Sequence, residues 1–257
     1  MLALFVGIGA ATVGVFGAAT CINIPSDQLD CDSAQQQLAP VKALGSEYAA
    51  VRYKGRAGGQ DEAPPWRVVG AVDGTMLEWT PAKPPGAPKT LNLGDVVEFK
   101  STGPFLVKSQ NADHPFYLGG YMTGGQPFNG EGDPDWVNVI PPSQYLTNYV
   151  LFTDPTYPET SLVVVRTPSK MDNKFADVTL DCLGAPIGGW TPVGASGAYE
   201  ITTVKLVDHW NSQGGCNNGV HTMDSQAPFG VWVWGWGSED TSTGWVSYGY
   251  PAGENVR

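Results

Sequence analysis

Residues 219–237 read GVHTMDSQAPFGVWVWGWG: two apolar runs, 220–224 and 229–236, joined by Ser225-Gln226-Ala227-Pro228. In the second run Val231 and Val233 alternate with Trp232, Trp234 and Trp236 without a break. A period of two belongs to a β-strand, because successive side chains leave opposite faces of the pleat. Two such runs joined by turn-forming residues predict a β-hairpin.

The same device stands earlier in the chain. Residues 104–120, PFLVKSQNADHPFYLGG, again place a Pro-Phe step between two runs, and aligning Pro115-Phe116 on Pro228-Phe229 gives an offset of 113 residues. The segments 38–48 and 140–149 echo each other about a hundred residues apart, each ending in a tyrosine (Tyr48, Tyr149), and residues 13–17 match 116–120 as a partial third copy. A repeat of this length is too long for a solenoid unit or a propeller blade and suits a tandem β-domain. The chain therefore reads as the tail of one copy followed by two nearly whole ones.

Bulk properties agree. A chain of 257 residues with 42% hydrophobic and 15% charged residues buries a core and is not disordered. Its 33 glycines, 21 prolines and nine tryptophans suit short strands and tight turns. A formal charge of -11 argues against nucleic acid or anionic lipid as partner. The expected fold is all-β, two tandem antiparallel β-sandwich-like modules, with a propeller-like arrangement of hairpins as the alternative. The expected division is an apolar start over 1–20, a β module over 21–121, a Gly-rich acidic linker over 122–135 and a second β module over 136–257. The start is apolar like a secretory signal but carries no early Lys or Arg, and the repeat match makes 13–17 the last strand of an incomplete upstream module instead. Asp73-Gly74, inside WRVVGAVDGTMLEWT (residues 66–80), predicts a further hairpin with a type I′ tip.

The motifs DHPFYLGGYMTGG, VVGAVDGTMLEW, TLNLGDVVEFKSTGPFLVKSQ, YVLFTDPTYPETSLVVVR, ADVTLDC and APFGVWVWGWG with SYGYPAG resemble, in their order, the IgGFc-binding protein N-terminal domain family. The resemblance covers residues 13–253. It implies a secreted or cell-surface recognition and adhesion role that is not catalytic. It implies no cofactor, and a protein or glycan as the ligand. Family members carry more strands upstream of Val13, so surface attachment through regions outside this chain is also implied. The competing expectation is an extracellular carbohydrate-active enzyme or its accessory domain, which a buried carboxylate pair in a cleft would favour.

Candidate site residues are few. Exposed, Trp232, Trp234 and Trp236 would form a stacking platform for sugar rings or a protein hot spot. Turned inward they would line the core with valine and glycine outward or against the second sheet, and the rarity of large exposed aromatic faces weighs toward this. Glu131, Asp133 and Asp135 offer oxygens to a cation but lack any EF-hand order, so a solvated linker is the simpler expectation. His114 reads as turn polarity and His221 as a half-buried strand histidine; no nucleophile elbow or zinc-protease motif accompanies His114, His209 or His221. Proximity pairs Cys21 with Cys31 and Cys182 with Cys216 as disulfides of an oxidising compartment.

Overall fold

The computed structural model describes residues 24–25, 32–56, 62–194, 197–238 and 242–255. The expected strand at 13–17, the signal-like reading of 1–19 and the Cys21–Cys31 bridge lie outside the described residues. Among those residues no helix is long and apolar enough to cross a membrane.

The first module is built from β1 (Glu47–Ala50), β2 (Pro65–Gly70), β3 (Thr75–Thr80), β4 (Thr90–Leu91), β5 (Val96–Lys100), β6 (Phe105–Ser109), β7 (Phe116–Met122) and β8 (Asp135–Asn138). They form two four-stranded antiparallel sheets, β1-β6-β3-β4 and β5-β2-β7-β8. Tyr48, Trp66, Leu77, Phe99, Phe105 and Phe116 fill the space between them. This is a sandwich, and alternation explains it: Phe105 and Val107 of β6 point inward, as do Phe116 and Leu118 of β7.

The second module comprises β9 (Leu146–Thr153), β10 (Glu159–Arg166), β11 (Val178–Leu180), β12 (Thr191–Pro192), β13 (Glu200–Asp208), β14 (Asn211–Ser212), β15 (Gly219–Trp236) and β16 (Ser247–Pro251). Its organising strand is β15, eighteen residues long. The first part of β15 pairs with β9 and β11. The last part pairs with β10 and β16, and the register shifts between Asp224 and Phe229. One strand thus crosses from one layer of the sandwich to the other, with Met223, Phe229, Val231 and Val233 in the core beneath it.

The expected hairpins are corrected here. The runs 220–224 and 229–236 do not pair with each other, nor does β6 with β7, nor β2 with β3. Each turn carries the chain over an edge of the sandwich into the facing sheet, where other strands supply its partners. Gly74 does take a positive φ of 70°, whereas Asp73 does not, so the tip is not type I′.

The two modules share one pairing scheme. β1, β2, β3, β5, β6, β7 and β8 correspond to β9, β10, β11, β13, the first half of β15, its second half and β16. The correspondence reaches single atoms. Tyr48 Oη donates to the Phe116 carbonyl at 2.6 Å, and Tyr149 Oη to the Phe229 carbonyl at 2.6 Å. β8 completes the first module's sheet by pairing with β7, so that module ends after Asn138 rather than before Trp136. The segment 122–135 is no free linker either: Gly132 N donates to the Gly237 carbonyl at 2.9 Å, and Gly249 N to Asp135 Oδ2 at 3.1 Å.

Candidate functional site

The tryptophans of β15 are buried, with 4%, 3% and 4% of the surface of Trp232, Trp234 and Trp236 exposed. Val231 and Val233 face the second module's own core, so period two turns the three indoles to the opposite face. There they meet the first module, packing with Ala49, Tyr53, Leu106, Met122 and Val137. Trp232 Nε1 donates to the Asn138 carbonyl at 2.9 Å, and Tyr53 meets the rings of Trp234 and Trp236 edge-on at 5.6 and 4.8 Å. A buried indole removes roughly 150–250 Å2 from water, about 4–6 kcal/mol at ~25 cal/mol per Å2. The ladder is the joint between modules, which corrects the platform reading, and the valines take the inward of the two places expected for them, against the facing sheet.

One end of that joint is charged. Arg56 and Glu62 form a buried ion pair at 2.8 Å. The guanidinium lies 3.8 Å from the Phe128 ring centroid and 4.2 Å from that of Trp236, and it donates to the Glu131 carbonyl at 2.6 Å. Burial pushes the Glu62 carboxyl up, but the Arg56 hydrogen bonds and charge outweigh this and hold it below its ordinary value. Beside the pair, Glu131 and Glu159 line a small cavity of about 20 Å3 with Lys54, Lys205 and Trp236. Burial, then the charge of Glu159, raises the Glu131 carboxyl to about 7.

Exposed aromatic chemistry lies at the neighbouring loop end of the second sandwich. The connection 154–158 links β9 to β10 and is braced by Thr156 N and Oγ1, both donating to Asp154 Oδ1 at 2.8 and 2.7 Å. Onto it close two further turns. β13 and β14 form a hairpin with Asp208 opposite Asn211, so its two-residue tip is His209-Trp210, with φ of 46° and 66°. Such tips ordinarily take Asn-Gly, and a bulky residue with positive φ is a true outlier. Two anchors hold it: Trp210 N donates to the Pro158 carbonyl at 3.0 Å, and His209 N to Glu159 Oε1 at 2.6 Å. The second turn, residues 242–246, carries Trp245 at φ 58° and is tied to the same connection by Thr243 Oγ1, donating to the Thr156 carbonyl at 3.2 Å. Trp210 is 52% exposed and Trp245 40%.

At the base of the same hairpin tip, Lys205 Nζ reaches Glu159 Oε2 at 2.9 Å and Asp208 Oδ1 at 2.5 Å, and His209 Nδ1 reaches Asp208 Oδ1 at 2.9 Å and Glu159 Oε1 at 2.8 Å. The hydrogen bond that the imidazole donates to Asp208, then the charge of Glu159, raises the His209 imidazole above its ordinary value. Glu159, Asp208 and His209 bring three ligand atoms within 4.8 Å of one another. Lys205 already holds a positive charge between the two carboxylates, so the group has a cation of its own.

The remaining sequence candidates fall elsewhere. Among the described residues Glu131, Asp133 and Asp135 do not converge as a ligand group. Asp135 instead accepts from the Trp136 and Gly249 backbone N–H groups, while burial raises its carboxyl to about 6. Cys182 and Cys216 are disulfide-bonded. His221 is held by Asp181 Oδ1 at 2.8 Å and the Asn217 carbonyl at 2.7 Å, and His114 stands 2.7 Å from Asn111 Oδ1 within its turn. Sequence reading missed Trp210, Trp245 and the Glu159-Lys205-Asp208-His209 network. The one local signal was the run DHWNSQGG at 208–215, where a tryptophan stands at a place turn chemistry reserves for glycine.

Comparison with known proteins adds one relationship. The sequence model of the family described as IgGFc binding protein matches residues 8–235. Neither the curated proteins nor the solved structures compared match this chain.

Proposed function

The chain belongs to the IgGFc binding protein family, and from that premise we propose that it is an extracellular, non-catalytic recognition module for a protein partner. The contact is made by the loop end of the second sandwich. The observation that carries this reading is the pair Trp210 and Trp245. Both are exposed on left-handed backbone, in separate turns tied to the same 154–158 connection. Strain of this kind persists only where the surroundings impose it, and it gathers at functional sites. Tryptophan is also the residue type most enriched among binding hot spots. The joint between the modules supports the reading by holding these loops on a rigid scaffold. Biolayer interferometry of the intact chain against immunoglobulin Fc and other extracellular glycoproteins tests it. Binding that Trp210→Ala and Trp245→Ala each weaken is the expected result, and binding indifferent to both removes the loop end from the function.

A second reading, carbohydrate hydrolysis, is favoured by Glu131 and Glu159 facing one cavity. Glu159 is engaged by Lys205 and the His209 N–H, and a cavity of about 20 Å3 has no room for a sugar ring without rearrangement. Glu131→Gln separates the readings, since it would abolish hydrolysis and leave recognition intact.

A further inference from the structure

We infer that the ligand group seated on Trp210 and Trp245 is an uncharged carbohydrate chain; the inference rests on the recognition reading above and specifies its chemistry. A protein hot spot is an apolar centre ringed by polar groups, and protein interfaces are depleted in serine. The hairpin and loop that follow Trp210 offer no second apolar side chain to the surface, only serine, glutamine and asparagine. The stretch from Asn211 to Asn218 carries Ser212, Gln213 and Asn217, a set of amides and hydroxyls with hardly an apolar atom exposed. Such a set satisfies the hydroxyls of a sugar, while the indole face takes its apolar C–H face.

The amides are positioned rather than loose. Asn211 Nδ2 donates to the Asp208 and His209 carbonyls at 3.2 and 2.9 Å, and Gln213 Nε2 to the Asn211 carbonyl at 3.0 Å. Asn218 Nδ2 donates to the Tyr157 carbonyl at 3.0 Å, one residue from the Pro158 carbonyl that anchors Trp210. Asn218 Oδ1 is buried with no hydrogen-bond partner. Asp154 on the same connection and the chain's charge of -11 disfavour an anion, whereas Asp208 and Glu159 are offset by Lys205 and His209. Neutral sugars meet every one of these conditions. Sialylated or sulfated ones fail the electrostatic condition.

The test uses the intact chain on an array of mannose-, galactose- and N-acetylglucosamine-terminated oligosaccharides with their sialylated and sulfated counterparts. A bound glycoprotein is assayed before and after enzymatic deglycosylation. Expected are binding of neutral glycans, a loss of tenfold or more in Trp210→Ala and in Trp245→Ala, and a smaller loss in Trp210→Phe. Should an alanine variant misfold, Trp210→Gly suits the left-handed backbone and replaces it. Failure to bind any neutral oligosaccharide overturns the inference, as does a preference for the sulfated set. Equal binding to the deglycosylated protein, still lost in Trp210→Ala, also overturns it while leaving the recognition reading standing.

Discussion

The ring of Tyr149 meets that of Phe229 edge-on, with centroids 5.0 Å apart, while its hydroxyl bonds to the Phe229 carbonyl at the point where β15 changes layers. The same hydroxyl accepts from Leu146 N at 3.0 Å, so one side chain satisfies two backbone groups of different strands. Tyr48 does likewise with Phe116 and Gly45. A tyrosine is required because only a phenol spans the core as an apolar ring and ends as both donor and acceptor.

Tyr149→Phe and Tyr48→Phe each orphan a buried carbonyl and should cost about 1–3 kcal/mol. Because the tryptophan ladder couples the modules, both variants should lower one shared unfolding transition. Two resolved transitions in urea, each responding to only one variant, would show the modules to be independent.

Arg56→Ala strips a buried carboxylate of its partner and should destabilise by about 3–5 kcal/mol near pH 7. The sign with pH follows from Glu62, whose carboxyl is depressed in the folded state. Its contribution is present above the ordinary carboxylate range and is lost as pH falls through the folded value. The gap between wild type and Arg56→Ala should therefore narrow in acid. A gap unchanged between pH 7 and pH 3 contradicts the pairing.

Glu131 works in the opposite sense. With its carboxyl raised from 4.5 to about 7, folding favours the protonated form, so the wild type should gain stability as pH falls from about 8 to about 5. Partial exposure softens the effect. Glu131→Gln should raise the thermal midpoint at pH 8 and flatten this part of the pH profile. Calorimetry showing parallel profiles for the two proteins would rule out Glu131 as the source.

Trp210→Gly and Gly74→Val test left-handed backbone from both directions. At φ 66°, glycine is relieved of a strain that tryptophan bears, so Trp210→Gly should stabilise by about 1 kcal/mol while losing ligand. Gly74, at φ 70°, has open space around a Cβ, so only the backbone penalises Gly74→Val, by more than about 1 kcal/mol. Chemical denaturation midpoints moving the other way in either variant would contradict these φ values.

What residues 219–237 determine alone is local. Alternation makes Val231 and Val233 one face and Trp232, Trp234 and Trp236 the other, and the recurrence, in the same order, of the segments ending in Tyr48 and Tyr149 and of the two Pro-Phe steps announces two copies of one module. Turn chemistry likewise makes Gly74 left-handed. Partner choice is not local. A turn between two strands reads the same whether they pair with each other or pass into facing sheets, because the hydrogen bonds that distinguish the two come from β9, β10, β11 and β16, far away in sequence. For the same reason period two tells which side chains share a face and is silent on what covers it. That the tryptophan face meets another module, and that Trp210 stands exposed on a tip anchored to Pro158, was decided only when distant segments packed together.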